Sequence, residues 1–252
     1  MRKLFVIPFL FLISAGFVSC LDDSEPVFKF WNEPAIVDNL DEENPIIKTP
    51  RGKFTVPELE GKDVKEGDLL WTRFQVDMNK QGDKDLLVAE FFSYTKINGK
   101  ETNLPQNTET FQTFLENDYS EPIRLAELYN YYIDHYLFFG FYHTNGAGKE
   151  FVYELVCNPE IESDNGNPTL YIRSKEFVYE EDDLRMAASQ QNQDGKVVAA
   201  FQMTKFLEKY GKELNSGGKF VKFNLKYKTG VDKDGKDVYR EFASNPISWS
   251  AK

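Results

Sequence analysis

The chain has 252 residues and a formal net charge of −11, with 41 acidic residues against 30 basic ones. Cations scattered through an acidic excess exclude nucleic acid as a partner, because phosphate binding requires clustered Lys and Arg. Two cysteines, Cys20 and Cys157, exclude a disulfide framework, whereas 22 Phe, 13 Tyr and 3 Trp favour pleated sheet packed on a hydrophobic core.

Arg2 and Lys3 precede an apolar run from Leu4 to Val18 that Pro8 and Gly16 interrupt. A bilayer-spanning helix needs about 20 apolar residues, so residues 1–19 read as a signal peptide. Val18-Ser19-Cys20 at its end resembles the lipobox of bacterial lipoproteins. There a cysteine takes a diacylglycerol and becomes the mature N-terminus, a transfer that needs a thiolate nucleophile. Phe17 stands where Leu is usual, and ordinary cleavage after Gly16 is the alternative. The expected site residue is therefore Cys20, as the point of lipid attachment, and two or more acyl chains give a stable membrane anchor.

Residues 20–30 form an acidic tether that opens with Leu21-Asp22-Asp23-Ser24-Glu25. Such a tract either keeps the first domain solvated off the headgroups or resembles the signal that sends some Gram-negative lipoproteins to the outer face of the outer membrane. Loss of the leader removes Arg2 and Lys3 and leaves 28 basic against 41 acidic residues, a net charge of −13. That charge repels anionic surfaces.

Turn signals punctuate the remainder: Arg51-Gly52, Asn98-Gly99, Asn145-Gly146, Asn165-Gly166, Asp194-Gly195, Gly217-Gly218 and Asp234-Gly235. Asn-Gly and Asp-Gly suit the positive-φ positions of tight hairpins, so an antiparallel all-β chain is predicted. Leu70, Thr72, Phe74, Val76 and Met78 alternate with Arg73, Gln75 and Asp77, a strand with one apolar face. Residues 98–121 gather Gly, Asn, Thr, Pro and Gln without a period and predict a boundary between two β blocks. Beyond it, Phe151, Tyr153, Leu155 and Cys157 fall in phase, as do Val221, Phe223, Leu225 and Tyr227 against Lys222, Asn224, Lys226 and Lys228. Cys157 is then a small core residue. Helix is predicted from Thr204 to Tyr210, with Gly211 as its stop, and less strongly from Glu181 to Ser189.

Chemistry-bearing patterns are sparse. The two histidines, His135 and His143, would stand ~26 Å apart along one strand at about 3.3 Å per residue, too far to share a metal. Gly146-Ala147-Gly148-Lys149 lacks the first glycine of a phosphate loop and reads as a hairpin loop. Asp232, Asp234 and Glu241 occupy the third, fifth and twelfth places of a calcium loop aligned on Gly235. Gly230 stands at its first place, however, and a hairpin turn explains the same residues. Tyr129 to Tyr142 is rich in aromatics and could stack sugar rings or pack a core. A carboxylate pair for glycoside hydrolysis has no positive support among so many acids. No catalytic residue, metal or cofactor is expected.

The order of these features resembles the NigD-like lipoprotein family. Pro45 to Pro57 looks like its strand, turn-glycine, strand unit, and Val64 to Trp71 is similar to the start of its next strand. Tyr136 to Phe141, Phe151 to Cys157, Leu170 to Arg173, Val197 to Met203 and Phe220 to Lys228 follow its later strand order. Arg51-Gly52 departs from a frequent Asp-Gly, and the insert from Asp164 to Pro168 looks local to this chain. The resemblance implies an OB-like β-barrel over residues 31–100, a linker over 101–122 and an antiparallel β-sandwich over 123–252. It further implies a lipid-anchored, surface-exposed outer-membrane protein that binds rather than catalyses, immunity-like or envelope-associated, with a protein or glycan ligand. The alternatives are a surface glycan binder using the Tyr129 to Tyr142 aromatics and a subunit of an envelope assembly.

Overall fold

The computed structural model describes residues 27–40, 45–81, 86–117, 119, 121–143, 150–161, 166–177, 196–214, 218–244 and 246–250. Cys20, the leader, the Gly146 to Lys149 loop and the Glu181 to Ser189 helix candidate lie outside them.

The first sheet holds β1 (Val27–Asn39), β2 (Ile46–Thr49), β3 (Gly52–Thr55), β4 (Leu69–Asp77), β5 (Leu87–Val88) and β6 (Glu90–Ile97). It runs in the order β5-β3-β2-β1-β4-β6 and curls into a half-barrel. The alternation expected in β4 is present: Leu70, Thr72, Phe74 and Val76 are buried. Met78, expected in phase with them, falls past the strand in a 3-10 turn and is exposed. Arg51-Gly52 makes the predicted hairpin between β2 and β3, with Gly52 at φ 129°. The Gln81 side chain joins the end of β4 to β5, donating to the carbonyls of Asp77 (2.7 Å) and Val88 (3.1 Å) and accepting from the Val88 amide (2.6 Å). A side chain here continues a ladder that the backbone does not.

β1 begins at Val27, so the tether expected through residue 30 is shorter. Val27 pairs with Asp77 and Phe28 with Val76, giving the far end of β4 a backbone partner it would otherwise lack. Within β1 a bulge between Trp31 and Glu33 places Asn32 at φ 61°. It inverts the phase of the strand: Phe30 faces the core before it, and Ala35 and Val37 after it. Trp31 is left outside and the Glu33 side chain is turned in.

The remaining elements are β7 (Gly99–Asn103), α1 (Thr108–Leu115), β8 (Arg124–Ile133), β9 (Tyr136–Tyr142), β10 (Glu150–Cys157), β11 (Thr169–Phe177), β12 (Lys196–Gln202), α2 (Thr204–Tyr210), β13 (Lys212–Glu213), β14 (Gly218–Val221), β15 (Asn224–Val231), β16 (Asp237–Ala243) and β17 (Ile247–Ser250). Eight strands form the second sheet, β16-β15-β11-β10-β7-β12-β9-β8, and β13-β14-β17 form a third. α2 has the bounds the sequence predicts, ending where the Gly211 amide donates to the Leu207 carbonyl.

Two expectations are corrected. The segment 101–122 is no plain linker: β7 lies inside the second sheet, and α1 packs Phe111 on Val156 and Tyr171. Asn107 caps α1 by accepting from the Thr110 amide at 2.9 Å. The second sheet is not purely antiparallel either, since β7 runs parallel to both β10 and β12, and β11 parallel to β15. β7 enters through the crossing at Asn98-Gly99, which passes the chain from β6 directly into another sheet rather than closing a hairpin.

Gly99 sits at that crossing, where an added Cβ would lie 2.8 Å from Tyr136 Cε1 and 2.9 Å from Leu69 Cδ1. Gly99→Ala should therefore destabilise the fold by about 1 to 3 kcal/mol, the usual cost of overpacking. An unchanged urea midpoint would show that the two side chains give way freely.

The second sheet is the central layer. One face packs on α2 and the third sheet through Leu155, Phe201, Phe206, Leu207, Phe223 and Leu225. The other meets the first sheet, with Ile36, Leu69, Trp71 and Ile97 against Phe138, Val198 and Ala200. The two β blocks thus share one apolar contact layer.

Candidate functional site

The histidines are separate, as expected, but His135 is not in a strand. It follows Asp134 in a tight turn between β8 and β9, at φ 74° and 46° respectively, and its carbonyl accepts from the Met203 amide at 2.7 Å. His143 stacks on Phe151 at 3.5 Å and shares a 2.7 Å hydrogen bond with the Tyr153 hydroxyl. Burial holds its pKa down at about 4, so the ring is neutral near pH 7. Cys157 is a core residue, as predicted: it is buried, its thiol donates to the Asn158 carbonyl at 3.3 Å, and burial pushes its pKa up to about 11. These groups are engaged in packing and do not converge on a common groove.

Asp232 closes the β15–β16 hairpin. Its carboxylate accepts from the amides of Asp234 (2.8 Å) and Lys236 (2.9 Å), with Gly235 at φ 76°. Glu241 lies away along β16 and accepts from the Asn224 amide group at 3.0 Å. Among the described residues no three His, Cys, Asp or Glu side chains gather as a metal site.

From Tyr131 to Phe141 the run presents no exposed row of rings of the kind a sugar-stacking platform needs, and Tyr142 alone among these described rings is exposed. Leu137, Phe139 and Phe141 enter one core and Phe138 the core on the opposite face. The strand lies in a layer covered on both sides, so its aromatics fill both faces.

Sequence reasoning missed three surfaces. The first is the β15–β16 edge of the second sheet, where Lys226 and Tyr239 lie along the strands rather than at the turn. Tyr171 and Tyr239 meet edge-on at 6.5 Å, and Lys226 Nζ stands 5.1 Å and 5.7 Å from their ring centres. β16 is the edge strand, exposed along its length apart from half-buried Phe242. Lys228 and Asp237, paired at 2.6 Å, hold it to β15. The sequence signal was there in the Asp234-Gly235 turn, but which strand would be the edge is set by distant pairings.

The second is an open groove of about 520 Å³ along α1, lined by Glu109, Thr110, Thr113, Phe114 and Asn117. Beneath it, buried Arg173 of β11 binds the carbonyls at the end of α1, those of Phe114, Leu115 and Asn117, together with the Glu154 carboxylate at 2.6 Å. Burial raises the Glu154 pKa, and the Arg173 charge opposes that rise.

The third is the end of the first sheet where β1 begins. Trp31 and Phe92 stack at 5.8 Å and 17° while remaining half exposed, and the Arg73 guanidinium lies 6.0 Å from the Trp31 ring. Two bulges put them there, the one at Asn32 and another between Arg73 and Phe74 that leaves Phe92 out of register in β6. Behind them Glu33 is buried and pairs with Arg51 Nε at 3.0 Å.

Compared with solved structures, the chain is similar to an uncharacterized protein from Parabacteroides merdae, at 15% identity over 88% of this chain and 99% of that one, with a TM-score of 0.53. A protein of unknown function from Bacteroides vulgatus matches at 15% identity over 86% and 92%, with a TM-score of 0.51. The chain shares their fold. A NigD-like immunity protein from Bacteroides caccae is also a structural neighbour, at 13% identity over 88% and 99%, with a TM-score of 0.48. No family model and no curated protein matches.

Proposed function

We propose that this chain is a lipid-anchored protein of the outer membrane, similar in role to NigD-like lipoproteins, that acts by binding a protein partner rather than by catalysis. The observation that carries the binding part is the β15–β16 edge. An exposed edge strand offers unpaired amides and carbonyls to another extended chain. Lys226 and Tyr239 beside it supply a cationic and an aromatic anchor of the kind enriched at interfaces. The anchor rests on the lipobox-like Val18-Ser19-Cys20, and the immunity-like or envelope-associated role rests on the family resemblance.

A photo-reactive residue in place of Tyr239, irradiated in intact cells, should capture a protein, and a Lys226→Glu change should abolish that capture. Capture that survives the charge reversal, or none at all, would count against the β16 face. Cys20→Ala should release the mature chain from the membrane fraction, and unchanged retention would exclude lipidation at that residue. Protease shaving of intact cells separates the two membrane faces, since full protection excludes surface display.

A further inference from the structure

Twelve large hydrophobic side chains are exposed among the described residues, and six of them, Val27, Phe28, Trp31, Met78, Leu87 and Phe92, lie in the first sheet or, for Met78, directly beyond β4. All six lie towards one end of it, with Trp31 and Phe92 furthest in, opposite Arg73 midway along β4. Val27 pairs with Asp77, so the start of β1 meets the end of β4, and Met78 follows directly. Gln81 ties Val88 to the same point, and Glu90 pairs with Gln75, bringing in the starts of β5 and β6. Single exposed apolar residues need no explanation, but six converging on one end do.

This is also the end from which the chain leads back to Cys20. Only residues 21–26 intervene, and seven Cα steps span at most about 25 Å when fully extended. An acylated Cys20 would hold this end within that distance of the headgroups. Stacked Trp31 and Phe92 suit the interfacial zone, where amphipathic rings are enriched; Lys29 is exposed two residues from Trp31, the Arg73 guanidinium lies over the Trp31 ring, and Lys80 pairs with Asp77 at 3.3 Å, so each has a long stem able to reach the headgroups. Asp22, Asp23 and Glu25 in the tether offset these cations, so attraction to anionic lipid is not the driving force.

We infer that the Val27, Phe28, Trp31, Met78, Leu87 and Phe92 end of the first sheet is a membrane-contact surface that rests in the headgroup region of a zwitterionic lipid leaflet. The inference rests on the anchor reading in one respect, that Cys20 brings this end to the bilayer. The contact itself belongs to the side chains.

Two measurements test it. The lipidated chain carrying Trp71→Phe and Trp249→Phe, reconstituted in phosphatidylcholine vesicles with bromine near the headgroup end of the acyl chains, should show Trp31 emission quenched about two-fold. Equal emission with and without bromine overturns the contact. The unlipidated mature chain, Cys20→Ser, should still partition onto phosphatidylcholine vesicles, about ten-fold less after Trp31→Ser and Phe92→Ser together, the scale expected for removing two partly buried rings. Partitioning that is absent, or unaffected by that pair of changes, overturns the inference, as does a Trp31 that responds to soluble envelope oligosaccharide and not to vesicles. Mass spectrometry of the Cys20 peptide decides the anchor separately, since an unacylated Cys20 removes the tether argument while the vesicle result for the unlipidated chain still stands.

Discussion

Replacing Arg173 with methionine should cost about 3 to 5 kcal/mol, the range for removing one partner of a buried ion pair. Its guanidinium is 8% exposed and donates to Asn117 Oδ1 (2.7 Å), Glu154 Oε1 (2.6 Å) and the carbonyls of Phe114, Leu115 (3.1 Å) and Asn117 (3.2 Å). Methionine keeps the length and removes every donor. The last carbonyls of α1 would lose their partner, and Glu154, 11% exposed, would lose its cation. Loss of Arg173 should lift the already raised Glu154 pKa further. A carboxyl with a raised folded pKa lowers stability as pH rises through that value. The deficit of the variant should therefore be largest above the folded pKa of Glu154 and shrink on acidification. Glu154→Gln should cost less, about 1 to 2 kcal/mol, because Arg173 keeps its helix-end acceptors and no carboxylate stays buried. Urea melts of both variants across pH are the check, and equal losses would place the main role of Arg173 in the ion pair rather than in holding α1.

Phe138→Ala should cost about 3 to 5 kcal/mol, as for a fully buried ring, and should be felt in both β blocks. Phe138 is 1% exposed and shares its cluster with Ile36, Leu69, Trp71 and Ile97 from the first sheet and Val198 and Ala200 from the second. If that shared layer couples the blocks, Trp71 fluorescence and far-UV circular dichroism should lose stability together in one transition. A Trp71 signal that melts as in the parent chain, while the dichroism shifts, would show that the blocks unfold independently.

Where a regular period holds, two along a strand and 3.6 along a helix, the sequence reads true. β10, β15 and α2 each repeat an apolar spacing whose face is buried, and β4 buries its predicted face together with Leu69 and Trp71 on the other, where it meets the second sheet. The Arg51-Gly52 and Asp234-Gly235 turns were legible for the same local reason, since glycine takes the positive φ that each turn requires. No single period marks β1 or β6, because bulges at Asn32 and at Phe92 invert the phase within each strand. α1 was hidden because Thr108, Thr110, Phe111 and Thr113 favour helix poorly in isolation, and docking on Val156 and Tyr171 stabilises it instead.

By itself the sequence determined the β character, the acidic balance, the place of Cys157 in a core and the bounds of α2, all of which follow from composition or short-range spacing. Only the tertiary structure decided that β7 threads a second sheet in parallel with two neighbours, that the Tyr136 to Phe141 aromatics are covered on both faces, and that Trp31, Phe92 and Tyr239 stay outside. Each of these depends on which strands lie side by side, and that is set by contacts between residues far apart in the chain. No window of local periodicity contains both partners.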